Sequence, residues 1–260
     1  MKPVGQPIAN LPVPLHQWET SHIGIVGCSA AGAALCFRVL CEELSANSAS
    51  SGSSSGHTDH SHPEVSLHTY SLGQYVRSIE RGAWGEVAQL MLSSATKLIA
   101  GGATVIVCPD NTIHQAWPLL QAHIPRSVRW LHIAEVVIDE AVRRGFRALG
   151  LLGTQWLVDS DVYPAACATR GIVCVRPTPT DRRVVHHIIM EQLTIGKFDA
   201  EATAATLNAV IQRLGAGDVR CDAVVLGCTE LPLVIGDHNS PLATLDSARL
   251  LAKAALRAVC

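Results

Sequence analysis

Apolar runs alternate with amphipathic segments along most of the chain. Runs rich in aliphatic and β-branched residues predict strands at 22–27, 64–69, 104–108, 148–153, 172–177 and 221–227. Apolar residues at helical spacing predict helices at 29–44, 84–102, 138–146, 158–171, 182–196, 201–215 and 247–259, with a further helix after Asn111. Apolar strands that alternate with helices are typical of a parallel, doubly wound α/β sheet.

This pattern occurs twice. The segment IGIVGCS (23–29) resembles LGLLGTQ (149–155), and TVIVCPDNT (104–112) resembles AVVLGCTE (223–230). In each pair an apolar run ends in a turn of small and polar residues. We therefore predict an α/β protein with two similar doubly wound parallel-sheet domains, related by pseudo-twofold symmetry.

The domain limits follow from the repeat. We place the first domain at 21–123 with a closing helix within 241–260, and the second domain at 124–240. Residues 1–20 are Pro-rich and lack the apolar segment of a signal peptide, which predicts an N-terminal arm and a cytoplasmic protein. The Ser/Gly-rich segment 45–62 is predicted to be a solvated insert in the first domain.

Composition and charge then exclude several classes of function. Apolar residues make up 48% of the chain, the formal net charge is −2, and no basic run suggests a nucleic-acid partner. No apolar run is long enough to span a membrane, so we expect no membrane association. The nine cysteines show no metal-type spacing and are interpreted mainly as small buried residues in a reducing compartment.

Polar side chains follow the predicted strands at the points where the strands end. Ligands of parallel α/β sheets bind beyond the carboxyl ends of the strands. If the two halves face each other, their polar turns should converge on one cleft. These turns are Cys28-Ser29, Asp110-Asn111-Thr112, Thr154-Gln155 and Cys228-Thr229-Glu230.

Two ionisable side chains occupy the same place in the repeat, since Asp110 falls opposite Cys228. Across a pseudo-twofold cleft they would approach a small substrate from opposite faces. Removing a proton from one face of a carbon and returning one to the other face inverts that carbon. Because Cys228 sits between a strand and a helix start, a lowered pKa is expected. A purely structural, buried role is the alternative for Cys228.

The motifs resemble those of the aspartate/glutamate racemase superfamily, which are cofactor-independent amino-acid racemases. The matching segments are IGIVGCSAAG, PDNTIH, LLGTQWLVDSDVY, LGCTELPLVI and PLATLDSARLLAKAAL. The resemblance implies an isomerase with no cofactor and no metal, acting on a small amino acid, either acidic or of broad scope. It also implies a small amino-acid or carboxylate substrate and a homodimer.

The resemblance further assigns roles to residues. Cys228 is similar to the family's second catalytic cysteine. The residues expected to bind the substrate are Ser29, Asn111, Thr112, Thr154, Thr229 and Glu230.

The chain departs from the family at Asp110. The first motif of the two-base racemases reads P-C-N-T-x-H, and here it reads P-D-N-T-I-H. We predict that Asp110 acts as an acid and base opposite Cys228, provided that a shielded cleft raises its pKa. Cys108, deeper on the same strand, is the alternative group. Tyr75 and Thr194 stand where related aspartate racemases carry an Arg and a Lys for the distal carboxylate, so selectivity for aspartate is unsupported.

Two other functions stay open at this point. One is a decarboxylase or other lyase of the arylmalonate decarboxylase kind, which would use Cys228 alone. A carboxylate at Asp110 would repel the carboxylate that leaves as carbon dioxide, which weighs against this function. The other is a non-catalytic binding protein on the same scaffold.

Overall fold

The structure is a computed structural model that describes residues 22–50 and 62–259. The predicted N-terminal arm, at 1–20, lies outside the described residues. So does most of the predicted Ser-rich insert, whose first residues belong instead to a helix that continues to Ser50.

The first half of the chain forms a sheet of four parallel strands. They are β1 (His22–Gly27), β2 (Glu64–Thr69), β3 (Val105–Val107) and β4 (Arg129–Leu131), in the order β2-β1-β3-β4. Its helices are α1 (Ala30–Ser50), α2 (Leu72–Glu80), α3 (Trp84–Ala100) and α4 (Trp117–Leu120), and short 3-10 turns lie at Thr112–Ala116 and Gln121–His123.

The second half repeats this arrangement. Its strands are β5 (Ala148–Leu152), β6 (Val173–Val175), β7 (Ala223–Leu226) and β8 (Ala243–Asp246), in the order β6-β5-β7-β8. The helices are α5 (Ile133–Arg143), α6 (Gln155–Val158), α7 (Val162–Ala168), α8 (Pro179–Ile188), α9 (Ala200–Ala216) and α10 (Ser247–Val259). A π-helical turn, Ile189–Leu193, continues α8, and a 3-10 turn, Leu231–Leu233, follows β7.

The matching strand order confirms the predicted two-domain α/β fold. The register agrees as well, because Ile23 pairs with Val105 in one sheet and the equivalent Leu149 pairs with Ala223 in the other. Asp110 therefore follows Val105 by the same number of residues as Cys228 follows Ala223.

Sheet membership differs from the predicted domain limits at two edge strands. β4 lies beyond residue 123 and pairs with β3, so it belongs to the first sheet. The closing segment 241–260 divides, because β8 pairs with β7 in the second sheet whereas α10 packs in the core of the first. We therefore propose a first domain of 22–131 plus α10, and a second domain of 133–246.

The central strands of both sheets position the polar turns. β1, β3, β5 and β7 are buried along their whole length, and each ends at one of the turns identified above. Since parallel neighbours end at the same edge of a sheet, these turns lie side by side in each domain. Within 22–50 and 62–259, no helix combines the length and the apolar character needed to cross a membrane.

Candidate active site

The polar turns of both domains line one cavity. All eight predicted site residues contribute to its wall, namely Ser29, Asp110, Asn111, Thr112, Thr154, Cys228, Thr229 and Glu230. The cavity volume is about 90 Å³, whereas one water molecule needs roughly 10–15 Å³ by the same measure. The space therefore suits a small molecule.

The turns of the two domains also touch each other. The hydroxyl oxygens of Thr112 and Thr154 lie 3.1 Å apart, so the second turn of one domain meets the first turn of the other. On the opposite side, a Cβ added to Gly32 in α1 would lie only 2.8 Å from the methyl carbon of Thr229. Glycine at this position lets the Thr229 turn approach the first domain closely. The predicted convergence of the turns is present in the structure.

The Asp110 carboxyl group is half-buried and faces the cavity. One carboxylate oxygen accepts a hydrogen bond from the backbone N–H of Ile113 at 3.0 Å. Burial raises the pKa of Asp110 above its ordinary value, although the Ile113 bond and the neighbouring Cys28 thiol oppose the shift. A carboxylate with a raised pKa is a stronger base, as the proposed chemistry requires.

The Cys228 thiol differs from the prediction in its pKa. Its sulfur donates to Oε2 of Glu230 at 2.8 Å, and the Thr229 hydroxyl donates to the same oxygen at 2.8 Å. Burial raises the pKa of Cys228 well above its ordinary value, and the charge and hydrogen bond of Glu230 raise it further. The predicted lowered pKa is wrong because a carboxylate faces the thiol and the following 3-10 turn is too short to carry a substantial dipole. The raised pKa favours the neutral thiol over the thiolate.

Asn111 lies in a buried hydrogen-bond network that joins the two domains. The Tyr163 hydroxyl donates to Oδ1 of Asn111 at 2.6 Å, and Nδ2 of Asn111 donates to the Ser247 hydroxyl at 2.9 Å. Ser247 in turn donates to the carbonyl of Leu226 at 2.8 Å. The network fixes the Asp110 turn relative to α7, α10 and the end of β7. Asn111 therefore has a structural function in addition to facing the cavity.

Replacing Tyr163 by phenylalanine should lower the free energy of unfolding by about 1–3 kcal/mol, because the buried amide oxygen of Asn111 loses its donor. Urea denaturation measures this change. Tyr70→Phe is the matched control, since the Tyr70 hydroxyl bonds Ser93 and Lys97 near the surface. A loss no larger than that of the control would contradict a stabilising role for the network.

A second thiol, Cys28, also lines the cavity, although Cys28 was not among the predicted site residues. It is only 2% exposed and lies close enough to Asp110 for each group to shift the pKa of the other. Its position directly after β1, at the head of a predicted polar turn, was the signal that could have identified it. Cys108, the alternative first thiol, is fully buried in the hydrophobic core and does not line the cavity.

Helix α2, which was not predicted, supplies part of the cavity wall. Tyr75 of this helix is fully buried in the core, whereas Thr194 does line the cavity. Across the described ranges, no cluster of three or more His, Cys, Asp or Glu side chains could hold a metal ion.

The protein is a two-domain α/β protein whose parallel-sheet domains share one cavity. A carboxyl group and a thiol line this cavity, which suits it to acid/base chemistry. The chain belongs to the Asp/Glu/hydantoin racemase family, whose family model matches residues 49–255. The predicted family is confirmed, and the relatives that bear its name are racemases, which are isomerases.

One curated relative is similar to this chain in sequence, and two solved structures share its fold. The broad specificity amino-acid racemase RacX of Bacillus subtilis (strain 168) is 26% identical over 168 residues, which cover 65% of this chain and 70% of RacX. The structure of a candidate Asp/Glu racemase from Yersinia pestis superposes with a TM-score of 0.78 at 25% identity, covering 92% of this chain and 99% of that one. An aspartate racemase homologue from Pyrococcus horikoshii OT3 has a TM-score of 0.73 at 22% identity, with the same coverage.

Proposed function

We propose that the protein inverts Cα of a small amino acid by two-base proton transfer between Asp110 and Cys228. The observation that carries this proposal is the equivalent placement of the two groups. They lie at matching positions beyond matching strands, and both face the same interdomain cavity. A substrate held between the two turns would present opposite faces of Cα to them.

The raised pKa values suit the two groups to complementary roles. In the active form that we propose, Asp110 is a carboxylate and Cys228 is a thiol, so the pair holds one proton. Asp110 takes the proton from Cα, and the electron pair left on carbon accepts the Cys228 proton on the opposite face. The site then returns to its starting state when Asp110 releases its proton to solvent and the Cys228 thiolate takes one up. The opposite enantiomer follows the same steps in reverse.

The remaining polar groups are suited to bind the two charged groups of the zwitterionic substrate. Glu230 is buried beside Cys228, and its carboxylate is suited to hold the substrate ammonium group. Thr112 and Thr154 face the cavity with neutral hydroxyl groups that can donate to the α-carboxylate. Ser29 and Thr229 offer similar donors from the opposite pair of turns. These substrate contacts stay predictions, as do a homodimer and a cytoplasmic location.

The pH dependence of kcat/KM should be bell-shaped. Activity requires one proton on the pair, so kcat/KM rises as Asp110 ionises and falls as Cys228 ionises. Because burial raises both pKa values, both limbs should lie above those of the free side chains. Initial rates measured across the pH range test this expectation. An alkaline limb below the ordinary cysteine range would contradict the neutral-thiol role of Cys228.

Racemisation is favoured over the lyase alternative by the charges in the site. A malonate-type substrate carries two carboxylates. It would meet the Asp110 and Glu230 carboxylates, and no cation lines the cavity in the part of the chain that the structure describes. The direct test incubates the protein with L- and D-amino acids and with an arylmalonate, without added pyridoxal phosphate, and follows optical activity and carbon dioxide release. Loss of optical activity supports the proposal. Carbon dioxide release alone supports the lyase, and binding without turnover supports a non-catalytic protein.

A further inference from the structure

One side of the cavity is apolar. Apart from the polar strand ends, its wall includes the apolar residues Leu72, Val76, Ile79, Trp156, Ile189 and Met190. They come from α2, α6 and the π-helical turn, so both domains contribute to this apolar wall.

The apolar wall is built from ordered secondary structure. Ile79 and Ile189 are buried, which fixes the back of the wall in the packed core. Leu72, the first residue of α2, is 36% exposed and lies at the open side. Ile189 and Met190 belong to the π-helical turn, and such turns occur often at functional sites because they re-aim side chains.

Among the described residues, the cavity has no counter-ion for a second carboxylate. None of the described lining residues is Lys, Arg or His, and the charged groups that line the cavity, Asp110 and Glu230, are both acidic. The carboxylate of an aspartate or glutamate side chain would therefore lose water without gaining a cationic partner. It would also be repelled by Asp110 and Glu230.

We propose that the substrate is an amino acid with an apolar side chain, which packs against the apolar wall while its α-carbon lies between Asp110 and Cys228. This inference rests on the proposed racemase function and specifies its substrate class. Each methylene group that the wall removes from water should raise affinity roughly fourfold. Leucine, methionine and phenylalanine are therefore expected substrates, and aspartate and glutamate are expected to be poor ones.

The test measures exchange of the α-hydrogen in D₂O for leucine, methionine, phenylalanine, aspartate and glutamate. The wild-type protein should exchange the apolar amino acids with kcat/KM at least about tenfold higher than for the acidic ones. Leu72→Arg, which places a cation at the open side, should narrow this ratio at least about tenfold. Val142→Arg is the matched control, because Val142 is 48% exposed and does not line the cavity. Met190→Lys repeats the test from the other domain.

Calorimetric titration of the wild-type protein with phenylalanine and with aspartate separates this inference from the proposed function. Preferred exchange of aspartate or glutamate would overturn the substrate class while leaving the racemase function intact. No exchange with any amino acid, together with tighter binding of phenylalanine, would overturn the racemase function and support the apolar ligand class. Tighter binding of aspartate than of phenylalanine would overturn the inference whatever the activity. An unchanged substrate ratio in Leu72→Arg and Met190→Lys would also overturn it.

Discussion

Cys228→Ala should lower kcat/KM for racemisation by on the order of 10²–10⁴-fold or more. The reason is that one face of Cα loses its proton donor, and no other ionisable side chain occupies the equivalent position in the second domain. Glu230 lies beside the thiol, but its Oε2 accepts from both Cys228 and Thr229 rather than donating a proton. Polarimetry or circular dichroism of the substrate measures the loss.

The matched control for this variant is Cys221→Ala. Cys221 is buried in the second domain and does not line the cavity. It should retain activity close to that of the wild type, and both variants should keep a cooperative thermal transition. A Cys228→Ala protein with a tenth or more of the wild-type kcat/KM would show that the thiol does not carry the proton.

Asp110→Asn should lower kcat/KM for racemisation by a similar factor, on the order of 10²–10⁴-fold. Asparagine has the same shape, and its amide oxygen can still accept the Ile113 N–H bond that Asp110 accepts at 3.0 Å. The substitution therefore keeps the structural role of the side chain and removes its ability to take a proton.

A second variant, Asp110→Cys, tests whether proton exchange at position 110 is what matters. A thiol at position 110 restores a group that can exchange protons, so this variant should recover activity relative to Asp110→Asn. If Asp110→Asn kept near wild-type kcat/KM, the role of Asp110 would be limited to its contact with the Ile113 backbone. Equal inactivity of the asparagine and cysteine variants, with intact folding, would show that a carboxylate is needed for another reason.

The duplicated fold could be predicted because its signals are local. The central strands are continuous apolar runs, and each is followed within a few residues by a turn of small and polar side chains. The edge strands β4 and β8 were not predicted, because they lack this local signal. β4 contains only Arg129, Trp130 and Leu131, with Arg129 exposed, so it shows no apolar run.

The polar residues of the cavity were also predictable, because the strands of each sheet end at the same edge. The pKa shifts of these residues were not predictable. The raised pKa of Cys228 depends on burial and on the direction of the Glu230 side chain, and spacing along the chain specifies neither. The same limit applies to Cys28, whose proximity to Asp110 depends on the contact of two neighbouring strands.

The apolar wall was beyond the reach of the sequence pattern. It combines α2, a short helix whose apolar residues do follow helical spacing, with a π-helical turn more than a hundred residues later. A π-helical turn has no simple periodicity, since it arises where a helix accommodates an additional residue. Only the packing of the two domains brings these segments to one cavity.

The stereochemistry of hydrogen exchange in the two single variants tests the two-base account most directly. Each variant is incubated in D₂O with the separate enantiomers of a substrate, and deuterium at Cα is measured by mass spectrometry. If Asp110 and Cys228 serve opposite faces, Cys228→Ala should exchange one enantiomer without inverting it, and Asp110→Asn should exchange only the other. Exchange of the same enantiomer by both variants, or continued inversion by either one, would contradict the account.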